Sequence, residues 1–128
     1  MFSTLKKAGL AVALTAATAS TAVPASAAAD PIQITASSRC LVGWSGDCTT
    51  AVVGAHPSGH WIDYWINNVG RPSRCPFRVR DVNTRAVVRS GTVGVSGLTA
   101  GRVPGLYGYY QLELRGCSVS AEGLLDND

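Results

Sequence analysis

Lysine is nearly absent from this chain, since Lys6 and Lys7 are the only two among 128 residues. Acidic residues are missing from the first 29 positions, and all eight lie from Asp30 onward. The chain also lacks a run of about 20 strongly apolar residues, the length that a membrane-spanning helix needs. The sequence therefore predicts no retained membrane anchor, and its first 29 residues differ in charge from the rest.

Those first residues have the pattern of an export signal. Lys6 and Lys7 precede the apolar stretch 8–23, which Pro24 ends, and small residues follow at Ala25 and Ala27. A basic start, an apolar middle and a small-residue cleavage site are typical of a secretory signal peptide. We expect residues 1–29 to be removed and the remainder to be a secreted, extracellular protein.

The charge that remains is small. Nine arginines stand against eight carboxylates after residue 29, for a net charge of +1. A nearly neutral domain lacks the electrostatic field that draws a protein to nucleic acid or to an anionic membrane. We therefore expect no nucleic-acid partner and no membrane partner.

Four cysteines follow the leader: Cys40, Cys48, Cys75 and Cys117. An even number in a small exported domain indicates two disulfides, for which three connectivities are possible. We favour Cys40 with Cys48, closing a short hairpin, and Cys75 with Cys117, tying the middle of the domain to its last strands.

The spacing of apolar residues predicts an all-β fold. Residues 77–82 and 86–90 should form a hairpin that turns at Asn83. Residues 106–115 should form a half-buried strand, with Tyr110, Leu112 and Leu114 on its inner face and Tyr109, Glu113 and Arg115 on its outer face. Short alternating segments separated by Gly and Pro turns, with no long amphipathic helix, are typical of a disulfide-stapled antiparallel β-sandwich of the immunoglobulin-like kind. We assign residues 30–39 to an extended N-terminal arm and residues 40–128 to this domain.

Three local predictions can be checked directly. Residues 41–44 and 49–55 flank a Gly46-Asp47 turn and should form a hairpin. The aromatic segment 60–68 should be a central strand with both faces covered. Residues 98–105 contain Gly101, Pro104 and Gly105 and should form a loop.

Catalytic patterns fail on inspection. Ser45 and Ser96 lie in fragments of a nucleophile elbow, but the glycine that should follow two positions later is missing. His56 and His60 are separated by a loop sequence, and Cys48, the nearby thiol, is expected to be oxidised, which disfavours a metal site. We expect a protein that is not an enzyme and that uses no metal or cofactor.

Two groups of residues are candidates for binding another protein. Tyr107 and Tyr109 should point outward from a regular strand, and exposed aromatic residues are enriched at interfaces. Arg78 and Arg80 should share a face, with Arg85 and Arg89 across the hairpin from them, in the arginine-rich stretch 71–89, which holds six arginines and one acid. This face is either a solvated surface or a docking patch for an acidic protein or polymer.

The arm offers a third candidate, made of Pro31, Ile32, Gln33, Ile34 and Thr35. Alternating isoleucines in a free segment suit strand addition to the sheet of another protein. The same pattern also suits an edge strand of this domain, and the sequence leaves both interpretations open.

The segments Phe77–Val93 and Tyr110–Cys117 resemble small exported β-sandwich proteins of actinobacteria, and within that group the chain is similar to the adaptor subunit of umbrella toxin particles. The resemblance implies a hetero-complex with other secreted proteins, in which an adaptor joins lectin-like subunits to a toxin-bearing stalk subunit. It also implies that the arm, about residues 30–35, is inserted into the lectin-like subunit by strand addition.

Two other functions remain open from the sequence. A secreted inhibitor of proteases or glycosidases would present one rigid loop, either Gly97–Gly105 or Ser45–Asp47. A carbohydrate-binding module would use Tyr107, Tyr109 or Trp44.

Overall fold

The computed structural model describes residues 34–128, which form ten β-strands in two sheets. The strands are β1 (Ile34–Thr35), β2 (Ser37–Leu41), β3 (Cys48–Thr49), β4 (Val52–Gly54), β5 (Trp61–Asn67), β6 (Cys75–Asp81), β7 (Val87–Val93), β8 (Leu98–Pro104), β9 (Tyr109–Leu114) and β10 (Glu122–Asp126). Within this described part, no helix is long and apolar enough to cross a membrane. The predicted signal peptide, and Pro31, Ile32 and Gln33 of the arm, lie outside the described residues.

The six-stranded sheet has the order β1-β4-β9-β6-β7, and β3 also pairs with β9. Strands β3 and β4 lie end to end along β9, where Thr49 pairs with Glu113 and Val53 with Tyr110. Strands β6 and β7 form the predicted hairpin around Asn83. Strand β1 runs parallel to β4, so the prediction of a purely antiparallel fold was wrong at this edge.

The four-stranded sheet has the order β2-β10-β5-β8, and all its described pairs are antiparallel. Strand β5 is central, as predicted from its aromatic and β-branched content. Its inner side chains, Ile62, Tyr64 and Ile66, are buried, whereas Trp61 and Trp65 on the outer face are half-buried. The prediction that both faces are covered was therefore wrong for the outer one.

One core joins the two sheets. Buried side chains from β5 and β10 lie in the same cluster as Val79 of β6 and Leu112 of β9. The contact is close at Gly123, where an added Cβ would stand 2.9 Å from Cδ2 of Leu112. The ring centroids of Tyr64 and Phe77 are 5.3 Å apart across the same space. The inner faces of the sheets therefore pack against each other, and their outer faces point away from a shared core.

The disulfides have the favoured connectivity. Cys40 is bonded to Cys48, and Cys75 to Cys117. The first joins β2 of the four-stranded sheet to β3 of the six-stranded sheet, and the second joins the start of β6 to the segment after β9. The first bridge therefore links the two sheets, and the second links segments that are 42 residues apart in the sequence.

The predicted hairpin of residues 41–55 was wrong, because its two halves belong to different sheets. The turn at Gly43–Asp47 carries the chain across the edge of the core instead of reversing it within one sheet. Gly46 has a φ of +84°, and its carbonyl accepts a hydrogen bond of 2.8 Å from the Cys117 backbone N–H. A turn signal alone does not tell a hairpin from a crossing between sheets.

The predicted loop at 98–105 was also wrong, because residues 98–104 form the edge strand β8. Gly101 lies opposite Tyr64, and a Cβ there would stand 2.5 Å from the tyrosine hydroxyl oxygen. Pro104 is tolerated because it ends an edge strand. This strand removes Gly97–Gly105 as a free inhibitory loop.

The assignment of residues 30–39 to an N-terminal arm was wrong at its C-terminal end. Residues 37–39 belong to β2 and pair with β10, so they are part of the folded domain. Ile34 and Thr35 form β1 at the edge of the six-stranded sheet, which is the second interpretation that the sequence left open.

Candidate interaction face

The outer face of the six-stranded sheet brings together most of the predicted binding residues that the structure describes. Strand alternation decides this, because neighbours of an inward residue point outward. Val53 and Tyr110 are buried, so Val52, Gly54 and Tyr109 face outward. Ile34 pairs with Val52 and shares its side of the sheet. Buried Phe77 and Val79 place Arg78 and Arg80 on this same face. We call the surface formed by Ile34, Tyr109, Arg78 and Arg80 the interaction face.

Ile34 and Tyr109 meet at a glycine. A Cβ built on Gly54 would lie 3.4 Å from Cδ1 of Tyr109 and 3.8 Å from Cγ2 of Ile34. The missing side chain at Gly54 lets the tyrosine ring and the isoleucine approach across β4. Ile34 is 49% exposed and Tyr109 is 43% exposed. The two residues therefore form one apolar patch at the edge of the sheet.

Thr35 points differently from Ile34 and has a local role. Its hydroxyl donates a hydrogen bond of 2.8 Å to the carbonyl of Ser37, where the chain leaves β1 for β2. Thr35 therefore supports the turn between the two sheets.

Arg78 and Arg80 are organised around a buried carboxylate. Arg78 Nε donates a hydrogen bond of 2.7 Å to Oε1 of Glu113, and Arg80 Nε lies 3.3 Å from Oε2. A third guanidinium, that of Arg115, is 3.9 Å from Oε2. Three positive charges surround one negative charge, which leaves this part of the face positive.

The environment of Glu113 has two opposing effects on its pKa. Burial favours the neutral acid and by itself raises the pKa. The hydrogen bond from Arg78 and the charges of Arg80 and Arg115 lower it, and together they outweigh burial. The pKa of Glu113 is therefore below its usual value, so the carboxylate is ionised at neutral pH and holds the arginines in place.

Tyr107 lies in the segment between β8 and β9, which begins at Tyr109, so the prediction that Tyr107 points outward from a regular strand was wrong. It is 78% exposed, and its ring stacks on His60 with centroids 4.2 Å apart. A shallow groove of about 250 Å³ lies between Tyr107 and Tyr109, with Gly54 and Gly108 in its lining. Tyr107 thus extends the apolar part of the interaction face around the end of the sheet.

The other arginines of the rich stretch do not join this cluster. Arg89 pairs with buried Val79, and its guanidinium donates a 3.1 Å hydrogen bond to the hydroxyl of Tyr64 in the opposite sheet. Arg85 lies in the β6–β7 turn with a φ of +70°, and its carbonyl accepts from Arg80. The expectation that Arg85 and Arg89 sit across from Arg78 and Arg80 on one face was wrong for Arg89.

The residues considered for a metal site are engaged in other contacts. His56 Nδ1 accepts a 2.8 Å hydrogen bond from the Gly59 N–H, and its ring stacks on Trp61. His60 stacks on Tyr107, and Cys48 is in a disulfide. In the range 34–128 the structure brings together no group of three metal-binding side chains.

Sequence reasoning missed Glu113 as the organiser of the face. The sequence predicts Glu113 only as one of several outward residues on its strand. Strand alternation alone cannot identify which strand lies beside β9. The pairing of Arg78 with Glu113 on the neighbouring strand β6 creates the cluster. The sequence does contain one signal for this pairing. Arg78 and Arg80 lie on one clearly alternating strand, and Glu113, of opposite charge, lies on another.

Comparison with known proteins adds no relative: no family model, no curated protein and no solved structure matches this chain.

Proposed function

We propose that this protein is a secreted, non-enzymatic adaptor that binds other secreted proteins through the interaction face and the arm that precedes it. In full, the proposal is an adaptor linking lectin-like subunits to a stalk subunit of an extracellular antibacterial toxin particle. The observation that carries it is the gathering of Ile34, Tyr109, Arg78 and Arg80 on one face of one sheet. The resemblance of residues 77–93 and 110–117 to umbrella toxin adaptors supports the same assignment.

The proposal includes a finer description of the chain. We take the domain to be an immunoglobulin-like β-sandwich, exported by a signal peptide at residues 1–29. Two sheets sharing one core and a disulfide between the sheets support the first point. Two disulfides are compatible with an oxidising compartment outside the cell.

Strand β1 is suited to leave its neighbour β4 and to pair with a strand of another protein. Strand β1 contributes only two residues, pairs with one neighbour and has both side chains exposed. Releasing so short an edge strand costs few hydrogen bonds, each worth about 0.5–1.5 kcal/mol net. Residues 30–35 would then add a strand to the sheet of a lectin-like subunit, with Ile32 and Ile34 filling its pockets. In the complex Ile34 would therefore leave the interaction face, which would keep Tyr109, Arg78 and Arg80.

The arginine cluster indicates the chemistry of the partner surface. Arg78, Arg80 and Arg115 outnumber Glu113, and their guanidinium groups match carboxylates in geometry. An acidic patch next to an apolar pocket is therefore the expected counterpart on the partner.

Affinity purification tests the proposal. The full chain, tagged after Asp128 so that the arm stays free, is recovered from the culture supernatant of its native cells, and bound proteins are identified by mass spectrometry. We expect larger secreted proteins with lectin-like and toxin-bearing domains. The same experiment gives the N-terminus of the exported protein, which we expect near Ala28 or Asp30.

Paired variants show whether the arm carries the binding. Ile32→Asp with Ile34→Asp places charges on the pocket-filling side of the strand and should abolish recovery of the lectin-like subunit. Gln33→Asp with Thr35→Asp places the same charges on the other side and should retain it. Recovery of the protein alone under gentle conditions, or equal recovery with both pairs, would overturn the proposal.

A further inference from the structure

The outer face of the four-stranded sheet carries two tryptophans, Trp61 and Trp65. Because Ile62, Tyr64 and Ile66 of β5 point into the core, Trp61, Asp63 and Trp65 point outward. Nothing else in residues 34–128 forms a layer over this face, and both tryptophans are half-buried.

Neighbouring strands place two rows of side chains across this face. In the first row, Trp65 lies between Ala100 of β8 and Leu124 of β10. In the second, Asp63 lies between Arg102 of β8 and Asp126 of β10. An apolar row with an aromatic ring at its centre thus runs beside a row of charged groups.

The small residue beside Trp65 opens a groove. Ala100 is the outward residue of β8 opposite Trp65 and carries only a methyl group. The groove beside it, of about 440 Å³, is lined by residues of both rows. This volume lies within the range of small-ligand sites, which combine apolar walls with a few polar groups.

The two tryptophans differ in how far their rings are already occupied. His56 stacks on Trp61 at 4.1 Å between centroids, and the Arg102 guanidinium lies 4.0 Å from the same residue's ring centroid. The Arg39 guanidinium is 6.0 Å from the ring centroid of Trp65. Trp65 therefore keeps ring surface that a ligand can cover.

The polar row is held in a fixed arrangement. Arg102 donates two hydrogen bonds to Asp63, of 2.7 Å and 2.9 Å. This ion pair leaves the carboxylate of Asp126 and the remaining lone pairs of Asp63 as acceptors for hydroxyl donors. Two carboxylates and one guanidinium give the row one net negative charge, which disfavours acidic ligands.

An extended peptide is a poor match for this groove. Strand addition takes place at the free edge of a sheet, whereas this groove lies on the face of the sheet, over β5, which is already paired on both sides. Binding must rely on stacking against an aromatic ring and on side-chain hydrogen bonds. A sugar ring offers an apolar face for the first and hydroxyl groups for the second.

We propose that the groove between Trp65 and the Asp63–Asp126 row binds a neutral saccharide. This inference goes beyond the adaptor function and uses the opposite side of the domain from the interaction face. One partner class is thus bound on each side of the core.

Titration calorimetry on the protein purified after export into an oxidising compartment tests the site. The probes are cellohexaose, xylohexaose, maltohexaose and N-acetylated chitohexaose, with hexagalacturonate as the acidic comparison. We expect saturable binding of at least one neutral probe and weaker binding of hexagalacturonate. Absence of binding to every neutral probe would overturn the proposal.

Variants locate the binding. Ala100→Phe fills the groove without removing a core residue and should weaken binding at least tenfold, whereas Leu98→Phe, two positions away on the same strand, should not. Asp126→Asn leaves the Arg102–Asp63 pair intact and should weaken binding about tenfold. Binding that survives both Ala100→Phe and Asp126→Asn would place the sugar elsewhere and contradict the proposal. Because isolated protein is used, the result does not depend on whether the adaptor partners exist.

Discussion

Replacing Glu113 by Gln tests whether the buried carboxylate organises the interaction face. The substitution keeps the size of the side chain and removes its charge. A hydrogen bond to a charged group is worth about 1.5–3 kcal/mol net, and a neutral one about 0.5–1.5 kcal/mol. The glutamine carbonyl can still accept a hydrogen bond from the Arg78 guanidinium, so the variant loses the attraction between opposite charges and keeps part of the contact. We therefore expect a loss of about 1–2 kcal/mol in the free energy of unfolding at pH 7.

The pH dependence follows from the direction of the pKa shift. The pKa of Glu113 is lower in the folded protein than the ordinary value of 4.5, because the arginines outweigh burial. The stabilisation is therefore fully present above the unfolded value and is lost as the pH falls through the folded one. The difference between the wild type and Glu113→Gln should shrink when urea unfolding is repeated at about pH 3.

A matched control separates this carboxylate from an ordinary surface pair. Glu122 pairs with Arg39, whose side chain is 54% exposed, so Glu122→Gln should cost no more than about 0.5 kcal/mol at pH 7. If Glu113→Gln costs as little as this control, or if its effect is the same at both pH values, the Glu113 carboxylate does not hold the arginines in place.

Two further predictions concern the core. Replacing Cys75 and Cys117 with Ala should lower the free energy of unfolding by about 4 kcal/mol, because this disulfide closes a loop of 42 residues. Replacing Cys40 and Cys48 should lower it by about 2.5 kcal/mol, because that loop spans 8 residues. Urea unfolding that shows the larger loss for the Cys40–Cys48 pair would refute this. Gly123→Ala should lower the free energy of unfolding by about 1–3 kcal/mol, since the new Cβ would crowd Leu112 and Leu114. Gly94→Ala should change the stability little, because no heavy atom lies within 4 Å of the added Cβ. Equal losses in thermal unfolding would show that the sheets are not packed as closely as described.

Strand alternation is a local property, and it could be predicted from the sequence. The inward set Tyr110, Leu112 and Leu114 of β9 is buried as predicted, and the β6–β7 hairpin is present. Both depend on residues two apart or on a short turn, which the printed sequence shows directly.

Pairing between distant strands could not be predicted in the same way. The turn at Gly46 leads to another sheet because Cys48 pairs with Leu114, a residue 66 positions later. Gly101, considered without its neighbours, indicates a loop. In the structure a glycine is required there because a larger side chain would collide with the hydroxyl of Tyr64 on the neighbouring strand. Glycine and proline mark both turns and close approaches, and only the partner strand distinguishes them.

The same limit applies to charge. A net charge of +1 after residue 29 indicates a domain without a strong field. The structure separates that small sum into unlike faces, because arginines surround Glu113 on the six-stranded sheet while Asp63 and Asp126 outnumber Arg102 in the groove of the other. Composition cannot reveal this separation, since it depends on which strands are neighbours. The two outer faces are turned away from one core, so the acidic protein that we propose for the positive surface and the neutral sugar that we propose for the slightly negative groove would not compete for the same side of the domain.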